Sequence, residues 1–392
     1  MLKRLLSLLI LLLSACTTVG PAHEGFTPTL PALVLPSATP EPTVTTTPTP
    51  LPTATSTPGA TITPAPATYY HFEPGINPLT GLPVAEPVNL NRRPVMVKVS
   101  NWPREGRPHA GLSSADLVFE YFIGHQMNRF LAVYYGNNAE VIGPVRSGRL
   151  VDAQLANLYQ GLLAYGNADP QVDNVLVEQL EARALSFNEL PCPAMCGQST
   201  HSATGVYANS GALSDYALNL GIDNSMPDLR GMLFQPEPPP VDGSGSLLRV
   251  EYANFSIMQW HYDPQSHTYH LWEEAELAQG LDLAPMIDRN NDQPIAFENL
   301  IVMYAEYIEY KPSLHEILIQ DVADYQPALL FRDGGVTFGT WRVPEPDRPI
   351  VFELPEGGAL PLKPGKTWIV IVGTGSQTVQ PIGGEWEVYF DL

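Results

Sequence analysis

From Thr27 to Thr68 the chain is built almost wholly from Pro, Thr, Ala, Ser and Leu, with Glu41 its only charged residue. Proline fixes φ and lacks an amide donor, so the recurrent Thr-Pro steps block both helix and sheet. Such a tract is predicted to stay extended, at roughly 3.1 Å per residue and on the order of 100 Å in all. It reads as a disordered stalk or tether, and its threonines permit O-glycosylation. Folded sequence begins around Tyr69.

Ahead of the tether, Lys3 and Arg4 lead an apolar run that ends Leu13-Ser-Ala-Cys16. Two positive charges, an apolar stretch too short to span a bilayer and small residues before the cut describe a secretory signal peptide over 1–15. The Leu-Ser-Ala-Cys ending resembles the lipobox of bacterial lipoproteins. That resemblance implies cleavage before Cys16, lipid (diacylglycerol, with palmitate-like chains) on its sulfur, and an extracytoplasmic location anchored to the bacterial cell membrane. Several buried acyl chains, at about 0.8 kcal/mol per CH₂, hold such an anchor stably. The alternative is an ordinary signal cut near Ala15, with Cys16 incidental. No later apolar run is long enough to be a membrane span.

With 392 residues, 44% of them hydrophobic, the chain can bury a sizeable core. Its net charge is −21, becoming about −23 without Lys3 and Arg4. A polyanion with no basic run disfavours nucleic acid as a partner. The partners expected are the membrane, through the lipid on Cys16, and a cell-wall polymer or envelope protein. Besides Cys16, only Cys192 and Cys196 remain, and in an exported protein the simplest reading is a disulfide closing a tight loop.

Residues 94–100, 115–122 and 129–135 alternate as strands, 150–160 and 171–183 have helical apolar spacing, and 162–165 reads as another strand. The texture changes after the Pro-, Gly- and Ser-rich stretch 235–245. Short β-branched or aromatic segments then follow one another, at 247–253, 255–262, 267–272, 299–309, 315–320, 328–332, 335–341 and 367–372. The fold class expected is α+β: an α/β domain over 69–235, a linker over 236–245, and a mostly antiparallel β domain over 246–392. Arg332-Asp-Gly-Gly335 is the clearest hairpin signal.

One segment concentrates chemistry: Ile142-Gly-Pro-Val-Arg-Ser-Gly-Arg149 follows a strand-like stretch and precedes the 150–160 helix. Ser147 near a helix start, with Arg146 and Arg149 beside it, could grip a carboxylate or phosphate. Equally, Arg146 or Arg149 could pair internally with Asp116, Glu120 or Asp152 and serve architecture alone. Asp116 and Glu120 lie four apart in a strand, hence on one face, and are the candidates for acid–base catalysis. Arg129, opening the next strand, is a natural partner for either carboxylate and a further candidate ligand-binding residue. No cofactor is implied and no metal site is expected. Asp288-Arg-Asn-Asn-Asp292 departs from a calcium loop at its sixth and twelfth positions and reads as a polar turn. His261, His267 and His270 sit among Tyr and Trp on one strand pair, which suggests a sheet face more than a metal cluster.

The chain also resembles the YerB-like lipoproteins, exported two-domain bacterial proteins of unassigned function. The likeness is carried by Asn77-Pro-Leu-Thr-Gly81, Arg92-Arg-Pro-Val-Met-Val97, Arg107-Pro-His-Ala-Gly-Leu-Ser-Ser-Ala-Asp116, the Gly143-Pro-Val-Arg-Ser147 motif and Lys363-Pro-Gly-Lys-Thr-Trp-Ile369. It differs where Gly124-His-Gln-Met-Asn128 replaces an expected acidic Glu-Gly-Gly-Ile-Thr stretch. The resemblance implies fold and location, and no reaction. The function expected is a non-enzymatic binding or organising protein of the cell envelope. The rival is an envelope glycopolymer hydrolase or transferase, with Asp116 or Glu120 as base and Arg146 and Arg149 holding an oxyanion.

Overall fold

Six consecutive residues of the first strand, Val95–Ser100 (β1), are all buried, so this strand must lie inside a sheet covered on both faces. The computed structural model describes residues 67–197, 204–274 and 282–392; the leader, Cys16 and the tether up to residue 66 lie outside the described residues. β1 is followed by Leu117–Gly124 (β2), Met127–Tyr134 (β3), helix Leu150–Leu158 (α1), Leu162–Tyr165 (β4), helix Pro170–Leu180 (α2), Ala184–Ser186 (β5) and helix Ser210–Asn219 (α3). β3 pairs antiparallel with β1 and β2, while β4 runs parallel to β1 and β5 parallel to β4.

The C-terminal segment extends this same sheet. Thr367–Gly373 lies parallel to β2 on one side and parallel to Asn299–Ala305 on the other. Gln326–Arg332 and Gly335–Arg342 follow in antiparallel order. Asp333 and Gly334 join these two strands with φ of 52° and 76°, the backbone of a type I′ hairpin.

A second sheet packs on one face. It comprises Gln377–Ile382, Gly384–Tyr389, Gly243–Ala253, Ser256–Asp263 and Thr268–Glu274, with Gly384–Tyr389 parallel to Gly243–Ala253. Strand Gly243–Ala253 begins against Gly335 and Val336 of the first sheet and ends in the second. Gly245 sits at that corner, where a Cβ would lie 2.4 Å from the Val336 side chain. The Pro-rich stretch leading into it is held by buried Arg332, which donates to the carbonyls of Gln235, Pro236 and Pro361. In the described residues, α3, Gln377–Ile382 and Gly384–Tyr389 are elements that the sequence pattern did not predict. The 299–309 segment is interrupted at Glu306.

Alternation sorts the core into two layers. Met96, Phe119, Tyr121, Leu131, Ile301 and Ile369 pack toward α1 and α2, whose Val151, Leu155, Leu158, Val172 and Leu176 cover them. Val97, Val118, Phe130, Val302, Trp368 and Val370 face the second sheet and α3. Trp368 is fully buried, edge-on to Phe130 and Trp260, each 4.9 Å between ring centroids. Its Nε1 donates to Glu120 Oε2 at 2.7 Å.

Around that bond lies a buried polar seam. Glu120 also accepts from Asn128 Nδ2, and Asn128 accepts from Asn101. Farther along, Arg107 contacts Glu273 at 2.6 Å and donates to the carbonyl of Glu274. Burial raises the Glu120 carboxyl to about 7 and the Glu273 carboxyl to about 8, against the pull of Trp368 and Arg107 respectively.

Trp368→Ala is expected to cost about 3–5 kcal/mol, as large aromatic truncations in cores do. Because Trp368 sits in a sheet shared by both segments, denaturant unfolding should remain one transition, and a separate early loss limited to the C-terminal strands would contradict that sharing. The raised carboxyls carry a second expectation. Between pH 5 and 7 the folded chain retains protons that the unfolded chain has released, so stability falls as pH rises through this window. The thermal midpoint should drop from pH 5 to pH 7, with a shallower drop in Glu273→Gln. An unchanged slope in that variant would remove Glu273 as a cause.

Candidate functional site

The Gly143–Arg149 loop runs along the end of β1. Ser100 N donates to Pro144 O and Arg146 N donates to Lys98 O, so the loop takes over the edge of β1 that β4 vacates. Gly166 N then reaches Arg146 O, and Gly148 N reaches Asn167 O. The loop is thus stitched between the C-terminal ends of β1 and β4, just before α1 and α2 begin. In α/β sheets that end is where ligands gather. Gly143 has φ of 147°, and Gly148 lies so close to Leu176 that a Cβ would come within 2.6 Å.

Strand alternation brings three more side chains to this loop, on the helix side of the sheet. They are Lys98 from β1, Tyr121 from β2 and Arg129 from β3. Lys98 is fully buried, with its ammonium 3.4 Å from Asp152 Oδ1 and 3.9 Å from the Tyr121 ring centroid, and it hydrogen-bonds the Tyr121 hydroxyl. The Tyr121 hydroxyl in turn donates to Asp152. The other oxygen of Asp152 accepts from Arg149 N at 2.7 Å, tying the first turn of α1 back to its N-cap residue. Burial lowers Lys98 to about 7, with Asp152 pulling it back up and Arg129 and Arg149 pushing it down.

The arginines are supplied differently. Arg129 donates from Nη1 to Ser147 O at 3.0 Å, and Arg149 donates from Nη1 to Gly148 O at 2.8 Å. The Nε atoms of Arg129, Arg146 and Arg149 are all buried, with no hydrogen-bond partner among the described residues. None of the three forms an ion pair, and Arg146 makes no side-chain hydrogen bond among the described residues. Burial drives Arg129 well below its ordinary value, and the charges of Arg149 and Arg146 drive it further. Arg146 and Arg149 are also lowered by burial. Ser147 is partly exposed and donates to Asn167 Oδ1 at 2.6 Å. Asp169, the N-cap of α2, is matched by Lys311 at 3.1 Å. A cavity of about 430 Å³ runs alongside between α1 and α2, lined by Leu150, Gln154, Gln171 and Val175. Another of about 800 Å³, lined by Phe72, Leu90 and Met226, lies away from the arginines.

The two sequence-candidate carboxylates go elsewhere. Asp116 accepts from Tyr135 N, Gly136 N and Asn77 Nδ2, and burial pushes it up to about 6 against those donors. Glu120 faces the second sheet, bonded to Trp368 and Asn128, with the sheet itself between it and Arg129. Neither pairs with an arginine, so the internal network expected around Arg146 and Arg149 is not formed with Asp116 or Glu120, and Asp152 meets Arg149 through its backbone amide. Lys98, Tyr121 and Asn167 went unnoticed in the sequence. A lone lysine inside an apolar strand was the signal for the first.

Cys192 and Cys196 form a disulfide with Cα atoms 4.7 Å apart, beside the short paired strands Met195–Gly197 and Val206–Ala208. Asp288 is a buried turn residue whose carboxylate accepts from Gly111 N, Ser113 N and Asn290 N. His261 and His270 are cross-strand neighbours, and His267 lies at the turn between their strands. Among the described residues no group of three or more His, Cys, Asp or Glu is placed to hold a metal ion, and no helix is long and apolar enough to cross a membrane.

Comparison with known proteins gives a consistent answer. Residues 79–223 match the N-terminal domain of a protein family of unknown function, DUF3048, and residues 248–369 match its C-terminal domain. A protein of Bacillus subtilis (strain 168) that is named as a lipoprotein, YerB, is 28% identical over 311 residues, covering 75% of this chain and 85% of the relative. The crystal structure of the YerB protein from Bacillus subtilis superposes with a TM-score of 0.61 at 26% identity, covering 76% of this chain and 96% of that one. With both domain models matched in order over more than half its length, the chain belongs to the YerB-like DUF3048 family.

Proposed function

We propose that this chain is a lipid-anchored protein of the bacterial cell envelope that binds an anionic group through Arg129, Arg146, Ser147 and Arg149, and carries out no chemistry on it. Cys16 bears the lipid, residues 16–68 form the tether, and the folded part comprises 69–235 and 246–392, with 236–245 between them and its last three residues already in strand Gly243–Ala253. The leader composition and the lipoprotein name of the relative support the anchor. One observation carries the binding reading: three neighbouring guanidiniums each keep a buried Nε without a partner among the described residues, in a chain whose net charge is −21. Unmatched buried donors cost about 1–3 kcal/mol each, so such a cluster persists against stability unless a ligand completes it. The enzyme reading finds less support, because Glu120 lies across the sheet from the arginines and Asp116 is saturated by amides. The partner is then a carboxylate- or phosphate-bearing polymer or protein of the envelope.

Growth with an alkyne palmitate analogue should label the parent protein and leave Cys16→Ser unlabelled; equal labelling would place the lipid elsewhere. For the site, the full-length protein in detergent should bind at least one small carboxylate or phosphate saturably in isothermal titration. Arg146→Gln should weaken that binding roughly 10- to 150-fold, the equivalent of about 1.5–3 kcal/mol for a charged hydrogen bond. Its thermal midpoint should hold or rise, since one of three repelling charges is gone. A falling midpoint with unaltered binding would return Arg146 to architecture.

A further inference from the structure

Charge and donor geometry at the arginine cluster narrow the ligand class further, and the narrowing rests on the binding reading above. Every other charge near the loop has its counterpart. Lys98 is matched by Asp152 and Lys311 by Asp169. Asp116 and Glu120 are held by backbone amides, an asparagine and a tryptophan away from the loop. Three positive charges are left over, on Arg129, Arg146 and Arg149, with no ion pair among the described residues. A single carboxylate would cancel one of them and would offer two coplanar oxygens to three guanidiniums. Those guanidiniums arise from three different places: the start of β3, the loop, and the N-cap of α1. Three guanidiniums together hold more donors than the two oxygens of one carboxylate can accept from in a single fork. The doubly charged form of a phosphate cancels two charges and presents oxygens in three directions, which suits donors converging from separate elements.

We infer that the loop is a phosphate-monoester site, in which Arg129, Arg146 and Arg149 share the terminal oxygens of one dianionic phosphate. The N-terminus of α1 adds its dipole to the same position. Arg129 is only 6% exposed and its Nε is unpartnered, so it forms the floor of the site. Arg146 and Ser147 are half-buried at the mouth, where the rest of an esterified molecule can leave toward solvent. Asn167 Oδ1 receives the Ser147 hydroxyl hydrogen, which leaves the serine oxygen with acceptor capacity only; the serine therefore positions the loop more than it grips the ligand. A phosphodiester bears one charge and one fewer free oxygen per phosphate, so it should bind less well than a monoester.

The test is isothermal titration of the full-length protein in detergent at pH 8, where a monoester is dianionic. The probes are inorganic phosphate, glycerol 3-phosphate, a poly(glycerol phosphate) diester chain, succinate and poly-glutamate. Glycerol 3-phosphate and inorganic phosphate should bind at least 10-fold more tightly than succinate, and the diester chain more weakly per phosphate than the monoester. Arg146→Gln should abolish the preference. Arg146→Lys, which keeps the charge and loses the planar fork, should retain binding with the preference reduced. Tighter binding of succinate or poly-glutamate, lost in Arg146→Gln, would overturn the phosphate assignment while leaving an anion site standing. Tighter binding of the diester, again lost in the variant, would overturn the dianion requirement alone. No binding of any probe would overturn both the site and its assignment.

Discussion

The parallel pairing of β2 with Thr367–Gly373 is the constraint on which the rest of the structure depends. It joins strands about 250 residues apart in the chain, and its register is pinned by the bond from Trp368 to Glu120. Parallel strands need long crossovers, and here the crossover takes in everything from β3 through Gly335–Arg342, from both segments. Once this strand is seated, Asn299–Ala305 has an edge to pair with and the two segments share one sheet. The buried side chains on both faces of Thr367–Gly373 follow directly, because helices lie on one side and the second sheet on the other. A chain that failed to seat this strand would expose the edges of β2 and of Asn299–Ala305 together, and unpaired strand edges invite aggregation.

That sheet also separates two kinds of polar chemistry. Toward the second sheet lie carboxyls, Glu120 and, beyond it, Glu273, raised by burial and softened by neutral amides and one arginine. Toward the helices lie Lys98, Arg129 and Arg149. A period of two puts adjacent residues on opposite faces, so Glu120 and Tyr121, or Asn128 and Arg129, are neighbours in sequence and strangers in space. The acidic seam is internally bonded and reads as part of the structure. The basic face is short of partners, and charge left uncompensated in a buried place is costly.

Local patterning made most elements legible. The strands at 94–100 and 129–135, the helix at 150–160 and the Asp333-Gly334 turn all have local causes and survive in the fold, although 94–100 reads as a half-buried strand and is buried on both faces. The Gly-Pro-Val-Arg-Ser-Gly-Arg loop was legible as a concentration of charge before a helix. What was not legible came from long-range pairing. Nothing near Thr367 says that its strand lies beside β2, and nothing near Gly384 says that it runs parallel to Gly243–Ala253. Helix α3 was missed because Ser210, Gly211 and Ser214 dilute its apolar spacing, leaving Asn209 as its cap and Leu213 and Ala217 as its buried face. Asp116 and Glu120 were noticed for their shared face, but the donors that satisfy them come from residues 77, 128, 135, 136 and 368.

The same reasoning explains why the loop could be found in sequence while its floor could not. Arg146 and Arg149 are consecutive features of one short segment, but Arg129 reaches them only because β3 pairs with β1 and the loop continues the edge of β1. The cluster is therefore a product of the sheet, and its charge is held in place by the strand and by loop carbonyls. A surface arginine pair could relax into water and relieve its repulsion. Arg129 cannot, because Ser147 O fixes one end and the strand fixes the other. On the proposed reading an anion relieves it, reached past the half-buried Arg146 at the edge of the loop.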